Sequence, residues 1–187
     1  VIGSRSDHVT MADFRRVKDN QDSSLGITVN LQIQTPQQVN KLANVTLVDV
    51  DAVRGSDGND QLIGNNNDNW FNGGQGFDRI DGKGGTNTYF TGLKRSDVGL
   101  TFDDNGGVVL ESREGRKELT NIQYVLFADQ KLEIASGGGG VDDDNFEEPL
   151  STLNIWRALN QIETFLYEDD EELDFEPIGS PEERSLR

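Results

Sequence analysis

Residues 55–90 repeat with a period of nine, and that period narrows what this 187-residue chain can fold into more than any other feature. Read from Gly55, the frames are GSDGNDQLI, GNNNDNWFN, GGQGFDRID and GKGGTNTYF. Each opens on glycine. The sixth place holds Asp60, Asn69, Asp78 and Asn87, and the eighth holds Leu62, Phe71, Ile80 and Tyr89, all large and apolar. A nonapeptide is long enough for a six-residue turn and a three-residue strand, so two frames complete one coil of a flattened right-handed spiral. The eighth-place side chains then point inward and stack into a narrow core, and the glycines let each turn fold back tightly. One coil cannot bury its apolar face alone, so the coils must stack. The turn carbonyls and the sixth-place carboxylates are hard oxygen donors, which suit calcium with its six to eight oxygens in flexible geometry.

Gly73-Gly74-Gln75-Gly76-Phe77-Asp78-Arg79-Ile80-Asp81 matches the nonapeptide GGxGxDxUx at every fixed place and so resembles the hemolysin-type repeat-in-toxin (RTX) family. Gly26–Leu31 and Leu47–Asp51 look like the strands that often precede such repeats, and Leu119–Asp129 like the segment that closes them. The resemblance covers about residues 26–134 and is most specific in 55–90. It implies a short right-handed parallel β-roll, export by type I secretion, and folding triggered by calcium outside the cell. It also implies a ligand set: second- and fourth-place carbonyls and the sixth-place aspartate, from turns two repeats apart. Carried over by position, one calcium site joins Ser56, Gly58 and Asp60 to Gly74, Gly76 and Asp78. The opposite side would use Asn65, Asn67 and Asn69 with Lys83, Gly85 and Asn87. There both carboxylates have become amides and Lys83 adds a positive charge, so weak or absent calcium is expected. Asp51, nine residues before Asp60 with Val53 in the eighth-place phase, offers a repair by stacking over the Asn69 turn, helped by Asp68.

Composition agrees in kind. The formal net charge of −17 repels phosphate backbones, which argues against nucleic acid, and attracts divalent cations. With no cysteine, neither disulfides nor thiolate metal sites can form. His8 is the single histidine, which leaves a zinc site without a ligand set. No apolar run reaches the length of a membrane span. The chain contains no nucleophile elbow, phosphate loop or histidine-based triad, so it reads as non-catalytic. Its N-terminus lacks the basic-then-apolar pattern of a signal peptide and does not begin with methionine, so the chain reads as a mature fragment or an excised piece of a longer protein.

Around the repeats the expected organisation is a poorly defined lead-in over 1–25, with a helical turn or two at 11–18, then the calcium-binding region 26–134. Strands are expected at 26–31 and 45–50. Val98–Phe102 and Val108–Ser112 flank Asp103-Asp104-Asn105-Gly106-Gly107 as a hairpin, and Leu119–Ile134 continues in strand-like alternation. Residues 135–146 read as a glycine- and aspartate-rich linker. Over 147–187 the stripe Leu153, Trp156, Leu159, Ile162 and Leu166 predicts an amphipathic helix within 150–167, followed by an acidic tail. That helix either packs on the roll, docks into a protein partner, or belongs to a secretion signal. The expected fold class is thus all-β, a parallel roll of RTX type with flanking strands, a C-terminal helix and a tail. The expected function is a calcium-binding module of a secreted or cell-surface bacterial protein with a structural or adhesive role. The alternative is an accessory domain of a secreted protease, lipase or polysaccharide-modifying enzyme whose catalytic residues lie elsewhere.

Overall fold

The computed structural model describes residues 9–17, 25–41, 43–103, 106–135 and 139–142, the last four through their backbone alone. The chain divides into two compact units, 1–147 and 148–187. The second unit, with the helix expected at 150–167 and the acidic tail, lies outside the described residues.

The nonapeptide frames set the centre of the fold. β5 (Ala52–Arg54), β6 (Asn59–Ile63), β7 (Trp70–Asn72), β8 (Gly76–Asp81) and β9 (Thr88–Phe90) follow one another at nine-residue intervals. Successive strands fall alternately into two sheets, so a strand pairs with the one two frames on. β6 pairs with β8 in parallel, Leu62 opposite Ile80, and β7 pairs with β9, Phe71 opposite Tyr89. The columns extend past the four frames. β2 (Leu25–Asn30) adds Val29 beside Leu62, and β12 (Gly115–Thr120) adds Leu119 beside Ile80. On the other sheet, Val53 stands beside Phe71, and β13 (Tyr124–Leu126) sets Val125 beside Tyr89. All eight side chains are 0–2% exposed and belong to one apolar cluster. Burying a side chain of this size contributes roughly 1.5–3 kcal/mol.

The expected fold class needs correction, because the sheets are mixed rather than parallel. β10 (Gly99–Phe102), β11 (Val108–Ser112) and β12 pair antiparallel, as do β13, β14 (Lys131–Ala135) and β15 (Gly139–Asp142). One sheet runs β10-β11-β12-β8-β6-β2, and the other runs β1-β5-β7-β9-β13-β14-β15, with β1 at Met11–Asp13. The reason is visible after Phe90, where the nine-residue spacing ends. Short loops there return the chain directly beside the strand just made, and a direct return can only be antiparallel. Among the described residues no α-helix occurs, and the single helical feature is a 3-10 turn at Arg95–Asp97.

Smaller expectations shift too. The turn of helix at 11–18 is instead β1, an edge strand whose Ala12 stands opposite Val53. The strand expected over 45–50 is reduced to β4 (Asn44–Val45), paired with β3 (Gln37–Gln38). Asp49 adopts φ 51° and Val48 is 52% exposed, so the alternation there does not carry a strand. Residues 139–142 of the expected linker form β15.

Candidate metal centre

Three of the sixth-place side chains, Asp60, Asp78 and Asn87, accept from a backbone amide of the preceding layer, whereas Asn69 accepts from Asn65 N–H within its own turn. Asp78 Oδ1 accepts from Asp60 N–H at 2.9 Å, and Asn87 Oδ1 accepts from Asn69 N–H at 3.0 Å. The same rung continues outward: Asp60 Oδ1 accepts from Ile27 N–H at 2.8 Å, and Gln123 Oε1 from Asn87 N–H at 2.7 Å. Sixth-place side chains therefore cap turns, as short polar side chains do. All four are at most 3% exposed.

Ser56, Gly58, Asp60, Gly74, Gly76 and Asp78 are brought together as the spacing predicts. A Cβ on Gly74 would collide with the Ser56 carbonyl oxygen, and one on Gly76 with that of Gly58. The two turns thus lie directly on one another, with Gly76 at φ 95° in the left-handed region that favours glycine. Asp60 also accepts from Ser56 N–H at 2.6 Å and from the Ser56 hydroxyl at 2.7 Å. The Gly73 carbonyl, outside the predicted set, borders the same point beside Gly55 as Asp60 Oδ2.

Lys117 is the functional residue that the repeat frame did not reveal. It stands in register with Asp78, one layer on. Its ammonium faces Asp78 Oδ2 at 2.7 Å and donates to the carbonyls of Gly76 at 3.0 Å and Glu114 at 3.1 Å. Among the described residues Asp78 Oδ2 has no other hydrogen-bond partner. The signal was present in the sequence: Gly115-x-Lys117-x-Leu119 has the spacing of Gly76-x-Asp78-x-Ile80, with a base at the acidic place.

The amide side is arranged differently. Asn87 Nδ2 donates to the carbonyls of Gly84 at 3.0 Å and Asn121 at 2.9 Å. Asn69 Oδ1 accepts from Asn65 N–H at 2.8 Å, while its Nδ2 reaches the main-chain oxygens of Asp68 at 3.3 Å and Asp51 at 3.4 Å. Asp51 does stack over the Asn69 turn, yet it presents its carbonyl there. Its carboxylate accepts instead from Thr10 N–H at 3.3 Å. Asp68 Oδ1 accepts from Thr86 N–H at 2.8 Å. Asn67 N–H donates to Asn65 Oδ1, Lys83 pairs with Asp81 at 2.7 Å, and a Cβ on Gly85 would strike the Asn67 carbonyl. An amide carries its own donor, so the buried sixth places of this side are satisfied without a charge.

On the aspartate side charge does not balance. The buried charged residues among those described are Asp60, Asp78 and Lys117, two negative and one positive. Burial raises the pKa of both acids, that of Asp78 to about 7, even though the Lys117 ammonium and the amide bonds pull the other way. Among the described residues no three acids, imidazoles or thiolates converge. A cation here would have two carboxylates and a set of turn carbonyls, which is hard oxygen chemistry suited to calcium. Comparison with family models and with curated proteins returns no match for this chain.

Proposed function

We propose that this chain is a calcium-binding, RTX-like module of a secreted or cell-surface protein, structural rather than catalytic, whose stacked turns are held by the ion. The observation that carries the reading is the unequal buried charge: Asp60 and Asp78 against Lys117 alone. An uncompensated buried carboxylate is costly. A divalent ion between the 55–60 and 73–78 turns would turn the net charge of these buried groups from negative to positive and place a cation beside Asp60, with Asp60, Asp78 and the carbonyls of Ser56, Gly58 and Gly74 as donors.

Linkage then gives the ion its role. An ion that binds only the folded chain stabilises it by mass action. Extracellular calcium modules bind at about 10⁻⁴ to 10⁻³ M, so the turns would lock outside the cell and stay loose in the cytosol. The absence of cysteine from the sequence fits a fold stapled by an ion instead of disulfides.

Calcium titration followed by heat and by circular dichroism tests the proposal. The expected result is saturable binding in that range, a gain of β signal or of melting temperature, and loss of both in Asp60→Asn. A chain that takes up no calcium, or one whose uptake is unchanged by Asp60→Asn, overturns it.

A further inference from the structure

We propose that the Lys117 ammonium is a built-in cation occupying a latent metal position, so that the interval between the 73–78 turn and the 112–117 turn is charge-balanced without calcium.

Three oxygens from two layers converge on one point: Asp78 Oδ2, Gly76 O and Glu114 O, at 2.7, 3.0 and 3.1 Å from Nζ. They comprise a sixth-place carboxylate and turn carbonyls from adjacent layers. It is a smaller form of the donor set proposed for the interval one layer earlier, with a single carboxylate in place of two. Calcium–oxygen distances of about 2.3–2.6 Å require the three to close in by a few tenths of an ångström. The Lys117 side chain is 3% exposed and Asp78 fully buried, so the ammonium is part of the packed column rather than a surface pair.

The two columns thus meet their acceptor oxygens with two different side-chain donors. Asn87 does so with a side-chain amide reaching Gly84 and Asn121, and Lys117 does so with an ammonium. Lys117 also explains where a stack of ion sites would stop. A lysine at the sixth place donates where an aspartate would accept, so the turn of 112–117 cannot present a carboxylate to a further layer. Beyond it the chain turns to antiparallel pairing with β11. The inference deepens the calcium reading by assigning which interval takes an ion, and it rests on that reading for the neighbouring interval alone.

The test is Lys117→Gln in the full chain, with calcium counted per chain and the melting temperature read in chelator and in 10 mM calcium. The expected result is one more bound ion than wild type, a lower melting temperature than wild type in chelator, and a calcium-dependent rise larger than the wild-type one. If wild type binds no calcium but Lys117→Gln binds one ion, the neighbouring-site reading fails and the latent position stands. If Lys117→Gln binds no more ions than wild type, the proposal is overturned. Asp78→Asn/Lys117→Gln guards against a variant that does not fold. Should that double variant fold while Lys117→Gln stays unfolded even in calcium, the ammonium is a counter-charge at a place no metal can use. Should neither fold, Lys117 acts through packing. Each of these last two results also overturns the proposal.

Discussion

Asp60 and Asn69 occupy equivalent places in adjacent frames and differ by one atom, so the pair isolates what a carboxylate does in this column. Asn69 splits its side chain between an acceptor to Asn65 N–H and a donor to main-chain oxygens. Asp60 accepts three bonds and donates none. Asp60→Asn leaves one of these buried donors without its acceptor, at about 1–3 kcal/mol, offset by removal of a buried charge, so the metal-free protein should lose less than about 3 kcal/mol. The substitution should at the same time remove most of the calcium-dependent rise in melting temperature, which paired melts in chelator and in calcium will measure. Asp81 offers a separate residue-scale check, away from the proposed ion. Burial raises its pKa, but the bonds from Lys83 and Asn121 outweigh it and hold the carboxyl below its usual 3.8. A depressed folded pKa contributes stability that is fully present above the unfolded value and is lost as pH falls through the folded one. The pair is partly exposed, which limits its worth to about 0–1 kcal/mol. Wild type should exceed Asp81→Asn by that much at pH 6, and chemical denaturation should show the gap closing below pH 4.

At the scale of elements, the repeat frame was fully legible where its period held. Glycine, sixth-place polar residue and eighth-place apolar residue predicted the 62/80 and 71/89 pairings and the stacked turns 55–60 and 73–78. Legibility ended where pairing partners were far apart in sequence. Val53 still keeps the eighth-place phase and stands beside Phe71, but that Val29 and Leu119 complete one column, and Val125 the other, depends on strands lacking the nonapeptide frame. Lys117 was missed for the same reason: its turn follows an inserted hairpin that breaks the count. The alternation over Val45–Val50 misled because period-two patterning marks a strand only where a neighbouring strand receives it, and at Val48 none does. Leu62 tests the column as a unit. It is fully buried between Val29 and Ile80, and Leu62→Ala removes side-chain atoms from a layer fixed on both sides by parallel pairing. The loss should be about 2–5 kcal/mol, visible as a lower denaturant midpoint with an unchanged slope. A loss below 0.5 kcal/mol would mean that the column is not the core.

For the whole molecule, the question is whether calcium acts as one salt among others or through a built site. The chain carries 34 acidic and 17 basic residues, so any electrolyte relieves some self-repulsion. That diffuse effect is screened over about 10 Å at 0.1 M salt and depends on ionic strength rather than ion identity. A buried pair such as Asp60 and Asp78 responds otherwise: screening ions do not reach it, and its carbonyl-rich surroundings favour a large, geometrically tolerant cation. Magnesium demands near-ideal octahedral geometry at about 2.0–2.1 Å and gives up its water reluctantly. Calcium at about 10 mM is about 10 to 100 times a Kd of about 10⁻³ to 10⁻⁴ M, where native-state binding contributes about 1.4 to 2.7 kcal/mol. For a domain of about 150–250 residues that corresponds to a rise in Tm of roughly 3–10 °C. Calcium at 10 mM should produce a rise of that order, whereas magnesium at 10 mM and sodium chloride at matched ionic strength should each produce less than half of it. Equal rises with calcium and magnesium would place the effect in the surface charge, and Asp60 and Asp78 would then be turn caps alone.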